Sequence, residues 1–187
     1  MSLTSLSELD IQIPWTPTGD PDALFEIIDG QRVELPPMGA YEVLIGFRLA
    51  AALDAHAKAR DLGQAVMEML FDLHPTFDRN RRPDVAYVSY ERWAKGKRIP
   101  PGNAWAVIPE LVVEVVSPHD SADDLLVKVR EFFLAGAKLV WLIYTSESQV
   151  YVYESPSQVR ILTRTETLDG GAALTGFSLP IASLLDE

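Results

Sequence analysis

There is no cysteine among the 187 residues. Disulfides, zinc–thiolate centres and thiol nucleophiles are therefore excluded. A cytoplasmic location is the natural expectation. No apolar run approaches ~20 residues, so no bilayer-spanning helix and no membrane partner are expected. Residues 1–14 lack the basic start and apolar core of a signal peptide. Histidine is scarce: His56, His74 and His119 do not form a metal-ligand spacing. Positive charge is also short. Sixteen Lys and Arg face 27 acids, a net charge of −11 that argues against a generic nucleic-acid coat protein. No repeat, low-complexity tract or domain linker interrupts the chain.

Hydrophobic residues make up 48% of the chain, enough for one domain with a sizeable core. Residues 1–24 carry three prolines and read as a surface arm; 25–187 read as a single domain. The scarce cations are not evenly spread. The window 79–98 holds seven Lys or Arg (Arg79, Arg81, Arg82, Arg92, Lys95, Lys97, Arg98) and two acids, so it is +5 and the remainder is −16. It is either a solvated loop or a local seat for phosphates beside Asp84.

Asp29-Gly30 between two short apolar runs predicts a hairpin. The segment 40–60, rich in Ala and Leu, predicts a long helix with Leu44, Ala51, Leu53 and Ala55 on its buried side. The alternation over 64–74 predicts one strand, with Ala65, Met67, Met69, Phe71 and Leu73 facing one way. Strands are expected over 84–90 and 111–117, separated by a basic loop. A helix is expected over 121–135, capped by Ser121 and ended by Gly136. Strands over 139–144, 149–154 and 159–168 and an apolar tail over 177–185 complete a mixed α/β domain around one sheet. Trp93 and Trp105 flank the basic loop; packing is their expected role, and base stacking the alternative.

The strand Leu111-Val112-Val113-Glu114-Val115-Val116 is apolar on both faces with one carboxylate at its centre. A buried carboxylate costs on the order of several kcal/mol unless a metal or a cation meets it. Asp84 opens the preceding strand, so two acids on neighbouring strands can meet at one hard cation such as Mg²⁺. Lys128 falls about 40° outside the apolar arc Leu125, Leu126, Val129, Phe132 and Phe133 at ~100° per residue. Its stem can lie on the core while its ammonium reaches the sheet. Its alternative is an ordinary surface pair with Asp124.

Arg82-Pro83-Asp84-Val85, then Glu110 to Pro118, then Asp124, Lys128, Gly136 and Val140-Trp141-Leu142-Ile143, together resemble the Uma-two family of the restriction-endonuclease-like PD-(D/E)XK superfamily. Asp29-Gly30, Glu34 to Met38 and Gly176 to Pro180 extend the resemblance over nearly the whole chain past the arm. The resemblance implies a restriction-endonuclease-like core, a central mixed β-sheet flanked by helices, with additional N- and C-terminal strands. It implies Mg²⁺ (or Mn²⁺) at Asp84, Glu114 and the main-chain carbonyl of Val115, and a catalytic lysine. Val116 occupies the superfamily's usual lysine position, so Lys128 on the following helix is the carry-over. Glu42, or earlier Glu34, is the candidate for an added acid.

The implied chemistry is metal-assisted hydrolysis of DNA phosphodiesters, with the basic segment 79–98 touching phosphate. The competing reading is a catalytically silent nucleic-acid-binding or assembly module that keeps the nuclease fold. A two-carboxylate sugar hydrolase is a third reading and would need a second acid across a deep groove. Apolar late strands make a homodimer an expectation.

Overall fold

The computed structural model describes Asp20 and residues 22–102, 104–118 and 120–186. Residues 1–19 of the expected arm and His119 lie outside the described residues. The hairpin forms as expected: β1 (Phe25–Ile28) and β2 (Gln31–Glu34) pair antiparallel. Asp29 and Gly30 turn it with φ of +51° and +75°, the left-handed pair that suits strand twist in a two-residue turn. Helix α1 (Ala40–Ala59) follows. Strands β3 (Gly63–Met67), β4 (Phe71–Asp72), β5 (Arg79–Arg81), β6 (Val85–Ser89) and β7 (Leu111–Val116) come next. Helix α2 (Ala122–Ala135) leads into β8 (Leu139–Tyr144), β9 (Gln149–Ser155) and β10 (Gln158–Thr163). The chain closes with β11 (Thr167–Asp169), β12 (Ser178–Pro180) and α3 (Ile181–Leu185).

The central sheet runs β10-β9-β8-β7-β6-β3. Within it only β7 and β8 are parallel, and α2 is the crossover that joins them. A second sheet, β2-β1-β5-β4, stands beside it, and β11 pairs with β12. Alternation splits the core in two. Val113, Val115, Trp141 and Ile143 pack with Ile45, Leu49 and Leu53 of α1. Val112, Val140 and Leu142 pack with Leu125, Val129 and Phe132 of α2. Covering both faces is what an apolar strand with no polar side demands. At the ends of α2, Ser121 Oγ accepts from the Asp124 N–H at 3.5 Å, and Gly136 turns out at φ +113°.

Four expectations need correction. The buried side of α1 is Ile45, Gly46, Leu49, Ala50, Leu53 and Ala57; Leu44, Ala51 and Ala55 are exposed. Apolar residues surround this helix, so its phase is set by packing and not by composition. Leu126, expected in the apolar arc of α2, is likewise exposed. The segment 64–74 is two strands, because Glu68 adopts φ +50°. That residue turns the chain out of the central sheet. Ala65 and Met67 consequently pack on the α1 side, while Met69, Phe71 and Leu73 pack on the α2 side. The last expected strand also divides, into β10 and β11, at a turn closed by the Glu166 N–H to the Thr163 carbonyl.

Candidate active site

The register Val85↔Val113 between β6 and β7 runs antiparallel, so one step back sets Asp84 opposite Glu114. Asp84 Oδ2 accepts the Val115 N–H at 2.5 Å. In an extended strand the N–H and C=O of one residue point the same way, so the Val115 carbonyl also faces the Asp84 side. Glu114, 6% exposed, points to the α2 face. Its Oε2 accepts from Lys128 Nζ at 2.9 Å. Its Oε1 is buried and has no hydrogen-bond partner among the described residues. Lys128 also stands 3.7 Å from Glu26 Oε1. Asp84, Glu114, Val115, Lys128, Glu68 and Arg82 line one small cavity of about 60 Å³.

Burial pushes the Asp84 carboxyl up to about 7, although the Val115 N–H works the other way. Burial likewise pushes Glu114 up to about 8 against the pull of Lys128, with Asp84 and Glu26 adding repulsion. For Lys128, burial opposes the charge, but Glu114, Glu26 and Asp84 outweigh it and hold the ammonium above the ordinary lysine range. Glu68 is raised by burial first, and by Glu114. A lysine facing several acids leaves negative charge unanswered, and a divalent cation is the complement of such a site.

The residues fit a hard cation. Glu114 presents an orphaned oxygen, Asp84 stands opposite, and the Val115 carbonyl faces the same gap. Among the described residues no three His, Cys, Asp or Glu side chains stand close enough to hold an ion by themselves. Two carboxylates, a carbonyl and waters form the donor set that Mg²⁺ accepts.

The structure thus brings together Asp84, Glu114, Val115 and Lys128. Glu42 and Glu34 do not line that cavity. Glu42, in the first turn of α1, lines a different groove; Glu34 is exposed and pairs with Arg32. Two acids that the sequence reading did not name as site candidates, Glu26 and Glu68, stand at the site instead. Glu26 was hidden in a four-residue strand and Glu68 in an apparently continuous one.

The basic window divides. Arg81 contacts Glu26 at 2.6 Å and Glu131 at 2.7 Å, and Arg79 also pairs with Glu131. Arg92 stands 3.0 Å from Glu110 and donates to the carbonyls of Ile108 and Gly136 at 2.7 Å. These arginines are occupied in holding the fold. Lys95, Lys97 and Arg98 follow the far end of β6, about 20 Å from Asp84 at ~3.3 Å per residue. Lys95 pairs with Asp61, and Lys97 lies 3.8 Å from the Trp93 ring centroid. The expected phosphate seat beside Asp84 therefore contracts to Arg82, which lines the cavity. Trp105 is buried, stacked on Phe71 and edge-on to Trp93, so packing is its role. His56 is likewise taken, 3.1 Å from the Thr175 carbonyl and edge-on to Phe177.

The family profile Uma2, described as "Putative restriction endonuclease", matches residues 10–182. Among solved structures the chain is similar to a protein of Anabaena variabilis described as "a putative nuclease belonging to DUF820". The two share 18% identity with a TM-score of 0.75, over 86% of this chain and 89% of that one. No curated protein matches. At that identity the solved structure speaks for the fold, a central mixed sheet flanked by helices.

Proposed function

The chain belongs to the Uma2 family of restriction-endonuclease-like proteins, and from that premise we propose a nuclease that hydrolyses DNA phosphodiesters with a divalent metal, Mg²⁺ or Mn²⁺. The observation that carries the reading is the buried, unpartnered Oε1 of Glu114, opposite Asp84, with Lys128 on the other oxygen. Asp84, Glu114 and the Val115 carbonyl would hold the ion. Bound there, it would polarise the phosphate and lower the pKa of a water.

The remaining steps belong to the chain. Asp84 is held in place by the Val115 N–H, so its carboxylate does not have to be ordered when substrate arrives. Lys128 keeps its proton and offers positive charge against the charge that builds on the phosphate. Arg82, fixed by its Nε on the Phe25 carbonyl at 3.1 Å, lines the approach. Glu68 stands in the same cavity as an acceptor for a proton from water.

The test is incubation of the purified protein with plasmid and single-stranded DNA in Mg²⁺, in Mn²⁺ and in EDTA, alongside Asp84→Asn. Cleavage that needs metal and is lost in the variant supports the reading. Metal-induced thermal stabilisation without cleavage of any substrate would indicate the catalytically silent module instead.

A further inference from the structure

A second concavity, an open groove of about 580 Å³, runs over the carboxyl ends of the parallel strands β7 and β8. It lies between the first turn of α1 and the segment after β7, and it shares Ser117 and Asp120 with the metal-type cavity. Carboxyl ends of parallel strands are where α/β sheets place ligands. Tyr144 pairs in register with Val116, so its ring is on the same sheet face as Glu114, one strand over and two residues further along. Tyr144 and Tyr151 are half-buried, with ring centroids 4.7 Å apart and planes at 49°.

The lining has a distinct chemistry. It offers an aromatic wall from Tyr144, hydroxyls from Ser117, Thr145 and Ser146, and carboxylates from Glu42 and Asp120. No Lys or Arg lines it among the described residues. A phosphate would be repelled there. A base has an aromatic face to stack and, in adenine, cytosine and guanine, an exocyclic amine that donates to a carboxylate.

We infer that this groove seats one unpaired nucleobase beside the scissile phosphate, stacked on Tyr144 and read by Glu42 or Asp120 through its exocyclic amine. The inference rests on the reading of the adjoining cavity as a phosphodiester site. It names the substrate as single-stranded or locally unpaired nucleic acid, with amine-bearing bases preferred over thymine. Stacking supplies affinity without cations, which suits a chain in which Arg79, Arg81 and Arg92 are paired with acids of the fold.

Fluorescence anisotropy with the whole chain in Ca²⁺ tests this. The probes are labelled oligo-dA, oligo-dC and oligo-dT, an abasic oligomer of equal length and a duplex. Oligo-dA and oligo-dC should bind several-fold tighter than oligo-dT, and the abasic oligomer should bind weakest. Tyr144→Ala should weaken oligo-dC binding about tenfold, the order expected for losing one stacked base. Tyr144→Phe should retain it and serves as the folding-neutral comparison. Glu42→Gln together with Asp120→Asn should narrow the preference for cytosine over thymine, because a neutral amide accepts more weakly than a carboxylate and can also donate to thymine. Equal affinity for the abasic and base-bearing oligomers would overturn the proposal, as would unchanged binding in Tyr144→Ala. A loss of self-association in Tyr144→Ala, without a change in oligomer binding, would make this face a contact between copies and also overturn it. Plasmid cleavage by the wild type is scored separately. Cutting that ignores Tyr144 leaves the nuclease reading intact and removes the base site. Base-dependent binding without any cutting does the reverse.

Discussion

Lys128 Nζ stands 2.9 Å from Glu114 Oε2, bridging helix α2 to strand β7 across the α2 face of the sheet. The lysine is 16% exposed and has its ion pairs with Glu114 and Glu26 rather than with Asp124 one turn away. Lys128→Met should fold, because Glu114 can take up a proton when its counter-charge goes. Cleavage should nevertheless fall about a hundredfold, the order for losing one group that stabilises developing charge. Single-turnover cleavage beside a thermal melt separates the two effects. Wild-type cutting by the variant would remove Lys128 from the chemistry.

The acids make metal response depend on pH. Asp84 and Glu114, raised to about 7 and about 8, keep protons in the folded chain that the unfolded chain has already released. Metal-free stability should therefore fall as pH rises from about 4 to about 8, then level off. A divalent cation needs the deprotonated pair. The rise in melting temperature on adding Mg²⁺ should be larger at about pH 8.5 than at about pH 6, with proton release measurable by calorimetry in buffers of different ionisation heat. In Glu114→Gln the metal-induced rise should vanish at both pH values. A rise of equal size in that variant would place the ion elsewhere.

Arg81 tests the ionic clasp between the small sheet and α2. Arg81→Met leaves Glu26 and Glu131 buried without their 2.6 and 2.7 Å partner. The cost should be about 3–5 kcal/mol. Denaturant unfolding should show it as a lower midpoint with an unchanged slope. A loss under about 1 kcal/mol would mean that Arg79 beside Glu131 and Lys128 beside Glu26 suffice to neutralise the two acids.

Glu68 carries backbone strain at φ +50°. Glycine adopts that conformation without a Cβ penalty. Glu68→Gly should therefore raise the melting temperature by about 2–4 °C, the shift per kcal/mol for a chain of this size. If Glu68 accepts a proton from water, the same variant should cut more slowly while melting higher. Stability gained with cleavage unchanged would make the residue a hinge alone.

Much of this arrangement is legible in the residues themselves. The apolar run of 111–116, the capping pair Ser121 and Asp124 and the Asp29-Gly30 turn are local signals, and the structure keeps all three. Asp84 and Glu114 could be placed on adjacent strands, and Lys128 on the rim of its helix, before any coordinates. What sequence could not carry were choices settled by tertiary contact. The phase of α1 was one, since apolar residues surround it. Another was the break at Glu68, where nothing but a backbone angle interrupts the alternation. The basic window misled for a related reason. Charge is countable along a chain, but its partners Glu26 and Glu131 come from elements far away in sequence.

One consequence concerns the first hairpin. Glu26 on β1 touches both Arg81 and the Lys128 ammonium, so the four-stranded sheet beside the central one contributes a negative charge to the cavity. Peeling that hairpin away would withdraw a negative charge from beside the lysine and release Arg82 from Phe25 and Glu26. The ammonium would then lean wholly on Glu114 and compete with any incoming cation for its oxygens. On the proposed reading, attachment of the hairpin would set how readily the cavity gives up its own ion pair to a metal.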